Sequence, residues 1–389
     1  MEGKAEKKKL KLGKKGKIAL YTVLAVLVAL AIVFTAAQKL GNVTVNAMTD
    51  SVKNYFRSMG AGDGYPYELS ADSVKDINIY DSNLLVLFNN KTMLLNSTAK
   101  EIMPVEHKFS NPVMKARDSK TIVYDLDSGR YRIQNSAEVT REGEAKTRIM
   151  SAAISRHGNY AIGTYGTDVQ SVLTVYSSAG EEIFIWNFKS ERISDISLSD
   201  NGKYAAVSTV YSKEGKISSK LYVFNFSSDK PVSTFDYDST VLVKVDFIKD
   251  NNLVAVGDNI RSYIKDGKTR KEDVQFGSDS LHNYCVANCG VSALVRSKFG
   301  SESLSSLTVY NKRNKVMFNV DFDRAAKWVD CGEKYTAVLF ENEVKTYNKK
   351  GKNVGSIEFT GEPLKVAVDG NKVYVLTSVS LQCYDVKGN

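Results

Sequence analysis

Histidine is the scarcest of the chemistry-bearing residues. His107, His157 and His282 are the only three in 389 residues, and no two are close in sequence. A zinc centre or hydrolytic triad built on several histidines is therefore not written into the chain. Five prolines exclude a proline-rich linker protein. Two tryptophans, Trp186 and Trp328, are too few to mark every unit of a repeat. The four cysteines, Cys285, Cys289, Cys331 and Cys383, have no zinc-binding spacing. What remains is ordinary globular material: 43% apolar and 25% charged residues exclude wholesale disorder.

The formal net charge of +9 is a local feature. Residues 1–17 hold eight lysines against Glu2 and Glu6, so the rest of the chain is close to neutral. A basic tail of this kind is poor evidence for nucleic-acid binding, and none is expected. Residues 18–37 follow without a charge, flanked by Lys17 and Lys39. About 20 apolar residues are enough to span a hydrocarbon core as a helix. The lysines ahead of it place the N-terminus in the cytoplasm and everything after Gln38 outside. A cleaved signal peptide is the alternative, since Thr35-Ala36-Ala37 and Val45-Asn46-Ala47 offer small residues at a cleavage site. The apolar run exceeds a typical signal-peptide core, which favours an anchor in the cytoplasmic membrane.

Residues 38–64 read as a juxtamembrane linker. Val45, Met48, Val52, Tyr55, Phe56 and Met59 recur three or four apart, the stripe of a short amphipathic helix. Gly60, Gly62 and Gly64 then form a flexible joint.

From residue 65 to 389 the pattern changes to short runs of Val, Ile, Leu, Tyr and Phe between polar turns. The runs repeat. Turns such as Ser199-Asp200-Asn201-Gly202-Lys203 and Asp369-Gly370-Asn371-Lys372 separate two apolar runs, and Asn-Gly and Asp-Gly tolerate the positive φ of tight hairpins. A third run ends in an aromatic, as in Leu173-Thr174-Val175-Tyr176 and Leu307-Thr308-Val309-Tyr310. Second runs begin near Leu84, Thr121, Tyr160, Tyr204, Leu253, Val291, Tyr335 and Val373. Their spacing averages about 41 residues, the period of a four-stranded propeller blade. The last unit stops one strand short, leaving an open edge. The segment Tyr65-Pro66-Tyr67-Glu68-Leu69 is placed to supply the missing outer strand, where a proline is tolerated. The expected fold is all-β: an eight-bladed β-propeller, with seven blades as the alternative, closed by pairing of its N- and C-terminal strands.

Three stretches carry a family resemblance: His107-Lys108-Phe109-Ser110-Asn111-Pro112, Val123-Tyr124-Asp125 with Arg130-Tyr131-Arg132-Ile133, and Leu253-Val254-Ala255-Val256-Gly257-Asp258. With them the chain resembles a family of bacterial single-pass membrane-anchored proteins bearing a PQQ-like or WD40-like propeller outside the membrane. The resemblance runs from the anchor to the C-terminus and implies no particular activity. The chain has no Trp-Asp pair, so it falls outside the strict WD40 repeat.

Readings as an enzyme fail in turn. Gly267-Lys268-Thr269 lacks the first glycine of a phosphate loop, since Ser262 stands there. Asp125-Leu126-Asp127-Ser128-Gly129 lacks the ligand set of a calcium loop. Trp186, after Ser177-Ser178-Ala179-Gly180, resembles one blade of a quinone-dependent enzyme, but one copy marks packing. His157 falls in a turn and His107 in an inter-blade loop, where solvated histidine is ordinary, and His282 on an inner strand facing the channel. Asp76, Asp195 and Asp246 also fall on first strands, as the exceptions in otherwise apolar runs. No catalytic residue, metal ligand or cofactor is expected. The cysteines are expected to be buried free thiols at three or four positions, and Cys289 with Cys331 is the first pair to test for a bridge.

Three connections between second and third strands are longer than the rest, at residues 164–171, 210–220 and 296–306. Each carries an aromatic near its start: Tyr165, Tyr211 and Phe299. Loops on a rigid scaffold and exposed aromatics favour recognition, although the same aromatics can fold back on their own blades. The function expected is a non-enzymatic extracytoplasmic scaffold that binds a protein or a cell-envelope polymer through Tyr165, Tyr211 and Phe299. The alternative is a small-ligand sensor or quinoprotein-like enzyme using the central channel.

Overall fold

The computed structural model describes residues 60–386 apart from 70–73, 81, 137, 249 and 250. The basic tail, the apolar segment 18–37 and the amphipathic stretch lie outside the described residues. Among the described residues no helix is long and apolar enough to cross a membrane.

The strands form eight antiparallel sheets of four. Seven are consecutive in sequence, as in Arg192–Leu198, Tyr204–Lys213, Lys216–Asn225 and Ser233–Tyr237 of blade 4. In blade 8, Pro363–Asp369, Lys372–Thr377 and Ser380–Asp385 are completed by Tyr67–Glu68 from the other end of the domain. The first strands of blades 6, 7, 8, 1, 2, 3, 4 and 5 touch in that order, and Tyr284 Oη of blade 6 donates to the Val243 carbonyl of blade 5, so the ring closes. The architecture is an eight-bladed β-propeller.

The burial pattern explains why the repeat was legible. Inner strands are covered on both faces by neighbouring blades, so Asn83–Phe88 and Leu253–Gly257 are buried throughout. The outer strand Val139–Glu144 alternates half-buried and exposed positions, as expected where one face meets water. Buried apolar residues fall into eight clusters, and each spans one interface between adjacent blades. The core is thus a ring of interfaces. Two fully buried arginines also cross these boundaries. Arg132 of blade 2 donates to the Glu106 carbonyl and to Thr92 Oγ1 of blade 1, both at 2.9 Å. Arg261 of blade 5 donates to Ser292 Oγ of blade 6 at 2.8 Å and lies 4.2 Å from the Tyr310 ring.

Three details differ from the sequence reading. The closing segment pairs over two residues only, Tyr67 with Leu381 and Glu68 with Ser380, and Pro66 lies just before the strand. The main-chain bond from Leu69 to the Val379 carbonyl extends the contact. Gly62 serves close approach rather than flexibility: a Cβ there would sit 2.3 Å from the Lys100 nitrogen. Gly62 N–H instead donates to Thr98 Oγ1, docking the entry to the domain on blade 1. Two of the three long connections are extended hairpins. Tyr204–Lys213 and Lys216–Asn225 turn at Glu214-Gly215, while Ser292–Lys298 and Ser301–Tyr310 turn at Phe299-Gly300. Polar residues alternating along a projecting ribbon read as loop because neither face is buried.

Candidate functional site

Antiparallel blades place first-to-second turns and second-to-third turns on opposite faces of the ring. Tyr165, Tyr211 and Phe299 all belong to the second-to-third connections, hence to one face, here called the hairpin face. They are not equivalent. The Tyr165 ring has the Arg148 guanidinium 4.7 Å from its centre and that of Arg192 at 6.0 Å. Tyr211 lies 5.0 Å from Lys220 Nζ on its own hairpin. Phe299 stands at its hairpin tip with 80% of its surface exposed.

Sequence reasoning missed other exposed apolar side chains on this face. Ile217, 60% exposed, lies near the tip of the blade 4 hairpin, and Val379, 52% exposed, in the turn of blade 8. Val243 and Leu364 are exposed near the starts of the first strands of blades 5 and 8, at the same end of the ring. A lone apolar residue within a polar turn has no periodicity to announce it. Of the large apolar side chains exposed among the described residues, these five share one face, while Ile183, Ile185 and Val316 lie on outer strands.

The other face opens into the central cavity, about 780 Å³, whose mouth is lined by turn residues such as Asp118, Asn288 and Gly370. Its charged groups are largely engaged with one another. Lys115 Nζ pairs with Asp195 Oδ1 and donates to Ser151 Oγ at 3.3 Å. Asp195 Oδ2 accepts the Val245 N–H of blade 5 at 3.0 Å and lies 3.6 Å from Lys244 Nζ. Asp246 accepts from Ser197 Oγ at 2.8 Å and faces Arg117, which also holds Asp200, Asn288 and the Phe247 carbonyl. Lys365 pairs with Asp76 and lies 5.2 Å from the Trp328 ring centre.

These contacts shift the ionisation of the groups. Burial opposes charge on Asp195, but Lys115 and then Lys244 outweigh it and hold the carboxyl below its usual range. Burial likewise opposes charge on Lys244, yet Asp195 and Asp246 raise it above the ordinary lysine value. Burial dominates for Lys115, whose pKa is lowered, and for Asp330, whose pKa is raised.

A regular stitch underlies the arrangement. A side chain on one first strand accepts an N–H from the first strand of the next blade. Asp195 takes Val245, Ser197 takes Phe247, Asn283 takes Val329 and Asp330 takes Val368. Carboxylates that stood out in apolar sequence runs are therefore spent on blade-to-blade bonding. Among the described residues, no group of three or more His, Cys, Asp or Glu side chains is arranged to hold a metal ion.

Residues 64–385 match the model of a family of unknown function, DUF5711. The chain belongs to the DUF5711 family. No curated protein matches the sequence. Among solved structures, Sqt1 of Saccharomyces cerevisiae is similar with a TM-score of 0.57 and 11% identity, covering 85% of this chain and 100% of that one. Sqt1 of Chaetomium thermophilum, solved bound to the N-terminus of ribosomal protein L10, gives 0.57 and 12%, covering 83% and 99%. BamB from Moraxella catarrhalis gives 0.52 and 10%, covering 82% and 99%. At these identities the likeness is one of fold, and it agrees with the propeller of the DUF5711 chain.

The remaining candidates of this DUF5711 chain fall outside the cavity's chemistry. His282 is exposed on its inner strand and does not line the cavity, because it sits where the register shifts between Leu281 and Asn283. His157 Nδ1 donates to the Asp200 carbonyl at 2.6 Å. His107 is half-buried rather than solvated as its inter-blade loop suggested. It stacks on Phe109 at 4.9 Å, and burial, aided by Arg132, pushes it down to about 4. All four cysteines are free, but only Cys331 is fully buried. The sulfur beside Cys331 is that of Cys285, not Cys289, at 3.0 Å. Counting turns brought Cys289 and Cys331 together, whereas the stitch between first strands brings Cys285.

Proposed function

We propose that this DUF5711 chain is a non-enzymatic scaffold, tethered by residues 18–37 in the cytoplasmic membrane, whose hairpin face binds a protein outside the cell's inner compartment. The observation that carries this reading is that Phe299, Ile217, Val379, Val243 and Leu364, exposed apolar side chains of blades 4, 5, 6 and 8, all lie on one face. Apolar anchors presented by rigid hairpins are the usual core of a protein interface, and they favour a protein over a polar envelope polymer. The Sqt1 propeller solved with a ribosomal peptide offers a precedent for such use of the fold. Gly60, held by Asn96 Nδ2 at 3.1 Å, lies beside the third-to-fourth turn of blade 1, at the cavity-mouth end. The chain thus enters the domain at the end opposite the hairpin face. The mutual pairing of the channel charges speaks against a small-molecule site there.

The test applies a membrane-impermeant amine-reactive crosslinker to intact cells and then purifies the full chain. The expected result is a discrete crosslinked partner, lost at least about tenfold in the F299S/I217S/V379S variant. These exposed positions should leave stability within about 0.5 kcal/mol. Undiminished capture by the variant refutes the hairpin face, and a chain that the reagent never reaches refutes the external location.

A further inference from the structure

The Cys285 and Cys331 thiols occupy adjacent first strands, in blades 6 and 7, with their sulfurs 3.0 Å apart. Cys285 Sγ also accepts the Cys331 N–H at 3.3 Å and donates to Asp330 Oδ1 at 2.9 Å. Both residues line the cavity, as does Cys289 in the turn that follows. Cys285 holds the place in the stitch that Ser197 holds in blade 4. Asn283 and Cys285 accept from Val329 and Cys331, as Asp195 and Ser197 accept from Val245 and Phe247. A hydroxyl does that work better than a thiol, whose sulfur is a weak acceptor. Hydrogen bonding therefore does not account for a cysteine at 285, nor for a second sulfur directly against it.

We propose that Cys285 and Cys331 form a reversible disulfide that staples blade 6 to blade 7, made by exchange with a disulfide-bonded oxidant entering through the cavity mouth. Asp330 takes the Cys285 proton, and the thiolate attacks one sulfur of the oxidant. A mixed disulfide forms and one thiolate leaves, reprotonated from Asp330. The Cys331 thiol then gives up its proton as its sulfur attacks that of Cys285, expelling the oxidant's second half as a thiol. The two cysteines lose two electrons and two protons, and the oxidant's disulfide becomes two thiols. The hydrogen bond with Cys331, and then burial, hold the Cys285 thiol well above its ordinary range, so the reduced pair is a stable dithiol rather than a reactive thiolate.

The full chain, purified in detergent, is treated with oxidised glutathione or with a reductant, then denatured and alkylated. Oxidation is expected to protect two of the four cysteines and to link the peptide carrying Cys331 to the one carrying Cys285. No Lys or Arg separates Cys285 from Cys289, so the C289S variant assigns the bond. It should keep the link, while C285S and C331S lose it. The oxidised wild-type chain should melt on the order of 5 °C above the reduced one, since the bond closes a long loop in a large domain. The melting shift needs no variant, so it stands even if a substitution impairs folding. Four fully alkylated cysteines after oxidation, a link that survives in C285S, or a lower melting temperature for the oxidised chain would each overturn the proposal.

Discussion

Replacing Asp195 with alanine is expected to destabilise the propeller by about 3–5 kcal/mol, the usual consequence of leaving buried charge without its partner. Asp195 binds three groups from two other blades: Lys115 of blade 2, and Lys244 and the Val245 N–H of blade 5. Its removal leaves two ammonium groups in the channel wall and an unbonded amide. Asp195→Asn should fall between wild type and alanine, because an amide oxygen still accepts from Val245 while the charge is gone. The pH dependence has a definite sign. The native carboxyl is held below its ordinary value of 3.8, so its contribution is full above about pH 4 and drains away as pH falls through the lower native value. Urea midpoints should therefore differ strongly between wild type and D195A at pH 7, and the gap should narrow in acid toward the smaller difference between D195N and D195A, since a protonated carboxyl still accepts from Val245. A gap that persisted unchanged into acid would show that the ion pairing is not what stabilises the site.

The second large effect is expected at the closure of the ring. Among the described residues, two residue pairs and the Leu69–Val379 main-chain bond join the N-terminal segment to blade 8, so side chains must do much of the holding. Tyr65 packs edge-on against Tyr374 at 5.7 Å and donates to the Asn96 carbonyl at 3.1 Å. Tyr67 donates to Glu101 Oε1 at 2.6 Å, and both rings pack on the cluster containing Ile77, Tyr374 and Leu381. The Y65S/Y67S variant should lose about 3–5 kcal/mol, from partly buried aromatic surface and two hydrogen bonds. It should also aggregate, because detachment bares the edge of Ser380–Asp385. Light scattering during a thermal melt separates the two losses: D195A should unfold early with the latch still closed, whereas Y65S/Y67S should scatter before the melt begins.

The ring and its blade count were legible because each inner strand is enclosed by neighbouring blades, which turns it into an apolar run bounded by turn residues. The latch was legible from a different signal, the missing strand of the last unit. The site was legible only in part. Tyr165 and Tyr211 looked like Phe299 in sequence, but the arginines and the lysine that lie by their rings come from elements whose proximity no local pattern records. Ile217 and Val379 gave no sign, being single apolar residues in polar turns. The channel's bonding was hidden for a related reason. Asp195 and Asp246 were visible as exceptions, yet their partners Lys115, Arg117 and Lys244 alternate with apolar residues and read as the solvent side of ordinary strands. The stitch joining Cys285 to Cys331 runs between strands more than 40 residues apart, a distance over which turn counting loses register.

Hydrogen exchange of the full chain, followed peptide by peptide, tests the closed ring most directly. Closure predicts that residues 65–69 are protected and open together with residues 372–385, since Leu69 N–H is bonded to the Val379 carbonyl and Tyr67 is paired with Leu381. Complete exchange of residues 65–69 within seconds, while residues 372–385 stay protected, would mean that blade 8 stands with three strands and that the ring is not latched by its ends.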